Sequence, residues 1–230
     1  MKLSVLASGS RANCIYVGTE SAGFLFDAGL SPRQTEKRLR LLGLSRKHIV
    51  GMFISHDHED HARHAGAFAK DWKINVYYGI QERSSILSFP VSHDAIDSVG
   101  FRIHEGHQKA VIVLDTGCIT PSMAAHMAGA NVLVLEANHH REMLRVGPYP
   151  WDLKQRILSR TGHLSNDAVA EYVGAELEPS CHTLILAHLS EANNHPSLVR
   201  AAVLPMLLGK GLQTMLIVSG PDEPTELIEV

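Results

Sequence analysis

Residues 54–64 read "ISHDHEDHARH", four histidines and three acidic residues in eleven positions, directly after an apolar run. A solvated charged loop is ordinarily built from Lys and Glu. Alternating imidazoles instead offer nitrogen donors to a cation. In an extended segment, residues two apart point the same way. His56 and His58 therefore share one side, and Asp60 and His61, at the start of the next helix, lie beside the same space. Imidazole together with carboxylate suits zinc, iron or manganese. Two closely spaced cations need about seven donor groups, so the remainder must come from elsewhere in the chain. Polar residues where apolar strands run out are the natural candidates. Asp115 ends "VIVLD", His188 ends "LILAH", and His93 sits in "PVSHDA" between apolar segments. His104 and His107 compete with His93 for its position. His48, His126 and His195 read as surface residues, and His64 merely flanks His61 one helical turn away.

The elements that must position these groups alternate along the chain. "KLSVLAS", "CIYVG", "GFLFDAG", "IVGMFIS" and "INVYYG" read as strands. "SPRQTEKRLRLLGL" reads as a helix, with Ser31 as its cap, Pro32 in its first turn and Gly43 past its end. "HARHAGAFAKDW" reads as a second helix. In the latter half "AVIVLDTG", "ANVLVLEAN", "TLILAHLS" and "QTMLIVSG" are strands. "SMAAHMAG", "DLKQRILSR", "SNDAVAEYVGAEL" and "SLVRAAVLPMLLGKG" are helices, and "PDEPTELIEV" is a polar tail. Both halves contain a strand running into Asp-x-Gly, "FDAG" and "LDTG", which hints at a duplicated unit. This pattern predicts layered α/β architecture, with two sheets face to face and helices outside, as one domain over residues 1–230.

Composition narrows the function. At 230 residues and 45% hydrophobic, the chain can bury a large core. A net charge of −3 announces no global basic field, although a local patch suffices for nucleic acid. Cys14, Cys118 and Cys181 are widely separated, which argues against a disulfide framework or a thiolate zinc site. "MKLSVLASGS" lacks the apolar core of a secretory signal, and no apolar run reaches membrane-spanning length. The expectation is a cytoplasmic protein with no membrane partner.

H-x-H-x-D-H at the end of a strand resembles the metallo-β-lactamase superfamily, a four-layer αββα sandwich. "LASGSRANCIYV", "SHDHEDH", "PVSHDA", "LDTG", "LEANHHREMLRVGPYPW", "GHLSNDA" and "LAHLSEANN" extend the likeness over almost the whole chain. Together they resemble its WalJ/YycJ branch of nucleases, itself similar to ribonuclease Z and small phosphodiesterases. The resemblance implies two divalent cations (Zn, Mn or Fe). One is held by His56, His58 and His93, the other by Asp60, His61 and His188. Asp115 and a hydroxide bridge them. Asp27 supports the ligands from behind. Relatives often carry Ser-Gly-Asn where this chain has Arg11-Ala12-Asn13, and Asp where it has His140.

Such cations lower the pKa of water from about 15.7 to about 7, which reduces the cost of hydroxide by roughly 12 kcal/mol. The resemblance implies that Asp60 and Asp115 would orient that hydroxide. Two dications, two carboxylates and one hydroxide leave a residual charge of +1, which matches an anionic phosphodiester. His163, at a loop-to-helix junction, is implied as general acid or phosphate contact, with Glu136 to orient it. Ser10, Asn13, Asn138 and His139 are candidate substrate contacts. Arg145, Lys154, Arg156 and Arg160, interleaved with Tyr149 and Trp151, form either a track for a nucleic-acid strand or a solvated helix face. The expected activity is that of a DNA exonuclease acting 5′ to 3′. The alternatives are a small-molecule phosphodiesterase, a thioester or β-lactam hydrolase, and a non-catalytic binding protein of the same fold.

Overall fold

Two mixed β-sheets pack face to face in a computed structural model that describes residues 1–83 and 85–230. The first sheet contains β1 (Lys2–Ala7), β2 (Cys14–Gly18), β3 (Gly23–Phe26), β4 (Ile49–Ile54) and β5 (Asn75–Tyr78). The second contains β6 (Glu82–Arg83), β7 (Ile86–Pro90), β8 (Val99–Glu105), β9 (Gln108–Val113), β10 (Val132–Glu136), β11 (Thr183–Ala187) and β12 (Met215–Val218). A last short strand, β13 (Ile228–Glu229), returns to the first sheet beside β1. Strands β3–β4–β5 and β9–β10–β11–β12 run parallel, and the neighbouring strands are antiparallel. The carboxyl ends of the parallel strands therefore gather along one edge of each sheet, where open α/β sheets form their sites.

Alternating side chains divide the apolar residues into three layers. Val132 and Val134 of β10 meet Phe26 and Phe53 between the sheets, while Leu133 and Leu135 face outward. On that outer face lie α4 (Pro121–Met127), α7 (Asn166–Ala175) and α8 (Pro196–Gly209), through Met123, Val173 and Val203. The first sheet's outer face is covered by α1 (Pro32–Leu41) and α3 (Ala65–Asp71), through Leu39 and Phe68. Strands apolar on both faces are what a sheet buried on both sides requires, and the result is the αββα sandwich. Ser31 caps α1 by accepting from the Gln34 N–H, and Pro32 stands in its first turn, as expected.

Three local readings need correction. The expected single helix after the histidine loop is two pieces, α2 (Glu59–Ala62) and α3. The chain leaving β3 interrupts the ladder, because the Ala28 N–H donates to the His61 carbonyl and the Ala28 carbonyl accepts from His64. The polar tail is not free. Thr225 N–H donates to the Val5 carbonyl, and β13 pairs with β1. Residues 86–105, read only for His93 and His104, hold the antiparallel strands β7 and β8.

Candidate metal centre

Each half of the sandwich contributes to one cluster. The loop after β4 supplies His56 and His58, and α2 supplies Asp60 and His61. From the second sheet come Asp115, just past β9, and His188, directly after β11. His93 enters from the β7–β8 loop. Asp27, Asp115 and His188 have positive φ of 66°, 50° and 56°. That left-handed conformation is uncommon for residues with a Cβ, and all three lie where a strand turns into the site. Gly29 permits the closest approach. A Cβ there would lie 2.0 Å from the Asp60 carbonyl and 2.4 Å from the Asn13 nitrogen.

The donor atoms form two groups, His56–His58–His93–Asp115 and Asp60–His61–Asp115–His188, which share Asp115. Asp115 Oδ2 lies 3.2 Å from His56 Nε2 and 3.1 Å from His61 Nε2. Asp60 Oδ2 lies 3.3 Å from His61 Nε2 and 3.2 Å from His188 Nε2. His93 Nε2 lies 3.2 Å from His58 Nδ1. A tetrahedron with bonds of ~2.0–2.1 Å has edges of roughly 3.3 Å, so these separations fit donors around a cation. The opposite ring nitrogens are anchored: His61 Nδ1 donates to Asp27 at 2.7 Å, and His93 Nδ1 to the Gly162 carbonyl at 3.1 Å. Such partners fix the tautomer and leave Nε2 as the donor. His56 Nε2 and Asp115 Oδ1 are buried and make no hydrogen bond among the described residues. Asp115 Oδ1 is 3.0 Å from His188 Nδ1, close but not aligned for a bond. The donor set fits divalent metal.

Electrostatics point the same way. Burial opposes the charge on Asp115, yet His188 and His61 hold its carboxyl well below the usual range. Burial likewise opposes charge on His188, but Asp115, Asp60 and Glu136 push it up to about 10. His61 is raised against its burial by Asp115 and Asp27. His58 is instead lowered, first by burial and then by His56. The carboxylates thus demand positive charge from the centre of the cluster.

A third group, Asp115, Glu136, His163 and His188, adjoins the other two. Glu136 is already engaged: Oε2 accepts from the Thr116 and Leu164 N–H groups, and Oε1 accepts from His163 Nδ1 at 2.6 Å. Burial opposes its charge, but His163 and then His188 hold it at about 2. Glu136 therefore orients His163, whose ring borders an open cavity of about 360 Å³ with Ser10, His58, Asp60 and Arg156.

Other expected contacts lie elsewhere. Asn13 is 0% exposed, and its amide nitrogen donates to Asp60 Oδ2 while its oxygen accepts from Ser8 and Gly9. Asn138 is also buried, donating to the His188 carbonyl. Both brace ligand-bearing loops, Asn13 beside Asp60 and Asn138 beside His188. His139 is buried beside a second cavity, and burial lowers it to about 4. His104 pairs with Lys109 in the β8–β9 hairpin, outside the donor groups. Lys154 is buried and donates to the Arg145 and Gly147 carbonyls, so it closes α5 (Arg141–Val146) rather than tracking a strand. Sequence reasoning missed Ser55, whose N–H donates to Asp27 and whose hydroxyl touches His56 and His61. It also missed the fork of Arg156 on Asp94 at the cavity edge. The adjacency of Asp94 to His93 was the available signal.

The family profile described as "Metallo-beta-lactamase superfamily" matches residues 8–101. The exodeoxyribonuclease YycJ of Bacillus anthracis is 34% identical, with 92% of this chain and 90% of that protein covered. The exodeoxyribonuclease WalJ of Streptococcus pneumoniae is 32% identical over 100% of this chain and 98% of its own. The short form of human tRNase Z superimposes with a TM-score of 0.65 at 14% identity, with both chains covered in full, which shows the shared fold. The chain belongs to the metallo-β-lactamase superfamily, within the group that contains YycJ and WalJ.

Proposed function

We propose that this protein is a metal-dependent phosphodiester hydrolase that acts on DNA as an exonuclease, digesting from the 5′ end. The observation that carries the reading is Asp115, a single buried carboxylate belonging to two donor groups at the floor of an open cavity. His56, His58, His93 and Asp115 would hold one divalent cation, and Asp60, His61, Asp115 and His188 a second, as Zn, Mn or Fe. Bound there, the pair supplies Lewis acidity and lowers the pKa of water. Two carboxylates against two dications leave the floor of the cavity positive, which suits a phosphodiester. His163 carries the proton chemistry of this chain. Its Nδ1–H is committed to Glu136, so Nε2 is the atom that meets a leaving oxygen. Arg156 stands at the same opening as a cation for a substrate oxygen. The full-length likeness to two exodeoxyribonucleases supports DNA as the polymer.

The test is a substrate panel on purified protein with Mn or Zn: labelled single- and double-stranded DNA, RNA, and a nitrophenyl phosphodiester. A ladder growing from the 5′ end of DNA, abolished by chelation, is the expected result. Turnover confined to thioesters or β-lactams would overturn the reading.

A further inference from the structure

His163 borders two cavities. Besides the opening over the donor groups, it faces a second of about 480 Å³, walled by α5, α6 (Trp151–Leu158) and the start of α7. That volume lies within the ~300–1,000 Å³ range of small-molecule sites. Its lining combines three features. Trp151, the first residue of α6, is 66% exposed, which is uncommon for so large an apolar ring. Arg141 and Arg145 stand on α5 and pair with exposed carboxylates, Arg141 with Asp167 at 3.3 Å and Arg145 with Glu142 at 2.9 Å, while Arg141 Nε also donates to the Ser165 hydroxyl at 3.4 Å. Exposed pairs of this kind hold their partners weakly, so a phosphate can displace them. The third feature is His139, 1% exposed, with neither ring nitrogen hydrogen-bonded among the described residues. A buried polar group left unsatisfied is costly and calls for a partner. Lys154 ties α6 to the end of α5, which keeps the wall in shape without a ligand.

We infer that this second cavity seats the nucleotide on the leaving-oxygen side of the scissile phosphate, its base on Trp151, its phosphate with Arg141 and Arg145, and a polar group at His139. The inference rests on the proposed phosphodiesterase reading, because His163 links the two cavities. In the reaction, a bond forms from the water oxygen to phosphorus and the bond from phosphorus to the leaving oxygen breaks. The His163 Nε2 proton passes to that oxygen, and the proton released by the water restores the imidazole through solvent. The group that leaves is therefore on the His163 side, where the second cavity begins. Aromatic stacking flanked by cations is how single strands are held without regard to sequence.

Binding of a phosphorothioate octathymidylate tests this without turnover. In a Trp72→Phe background, Trp151 fluorescence should be quenched as the oligonucleotide binds. Trp151→Ala should weaken binding roughly 5- to 150-fold, the effect expected for one stacked base, whereas Trp151→Phe should retain it within a few-fold. Replacing Arg141 and Arg145 together by Ala should flatten the dependence of log affinity on log salt by about 0.7 for each phosphate that the variant no longer neutralises. Unquenched fluorescence, unchanged binding by Trp151→Ala, or an unchanged salt slope would overturn the assignment. Cleavage by the parent protein is scored separately. A chain that binds through Trp151 but cuts no DNA fails the proposed function alone, and one that cuts DNA yet ignores Trp151 fails this inference alone.

Discussion

Asp27, Asp115 and His188 are held in left-handed backbone, which costs of order 1–3 kcal/mol at each residue. Strain kept at three residues that face one cluster is the local signature of a site. His163 has a different task, set by its bond to Glu136. If its Nε2 gives a proton to the leaving oxygen, its value depends on how poorly that oxygen departs. A deoxyribose alkoxide needs the proton, whereas nitrophenolate leaves almost unaided. His163→Ala should therefore slow DNA cleavage about 10²–10⁴-fold, and the loss should shrink to a few-fold on a nitrophenyl phosphodiester. Metal content by elemental analysis should be unchanged, and equal loss on both substrates would make His163 a phosphate contact instead. Much of this cluster was legible in the sequence, because H-x-H-x-D-H fixes four donors by spacing and strand-final polar residues mark others. The bracing by Asn13 and Asn138 was not. Nothing in "SRAN" or "EANHH" says that Asn13 and Asn138 point inward, since that depends on which loops meet across the two sheets.

Among the elements, the hairpin of α5 and α6 turns on Lys154. Read along the sequence, it is one cation among several in a basic stretch. In the fold it is 9% exposed, and its ammonium donates to two carbonyls at the end of α5, at 2.9 and 2.8 Å. Lys154→Met keeps the stem and removes both bonds. Charged hydrogen bonds are each worth about 1.5–3 kcal/mol, partly regained from water, so a net loss of about 1–3 kcal/mol is expected from urea denaturation. A lysine free to track DNA would behave oppositely, leaving stability intact and reducing the salt dependence of binding. The missed strands differ in kind. Val99, Phe101 and Ile103 alternate as inward residues of β8, so a period-two signal was present and unread. The two-residue β13 carries no such signal, because only its pairing with β1 makes it a strand.

At the scale of the molecule, the donor groups join the two sheets. His56, His58, Asp60 and His61 follow β4 of the first sheet, whereas Asp115 and His188 follow β9 and β11 of the second. A cation bound by both sides is available only when the sandwich is assembled, so its binding energy adds to folding stability. At a free concentration 100 times Kd, the gain is about 2.7 kcal/mol for one site. For a chain of this length each kcal/mol moves Tm by about 2–4 °C, so each site filled by Mn or Zn should raise Tm by about 5–11 °C. Asp115 is the critical position because it belongs to both groups. Asp115→Asn preserves size and tolerates left-handed backbone, so the metal-free sandwich should persist in this variant. Its rise in Tm at the same metal concentration should be less than half that of the parent by scanning calorimetry. A full rise in the variant would mean that the cations do not share Asp115, and a rise in neither protein would mean that the cluster does not hold them.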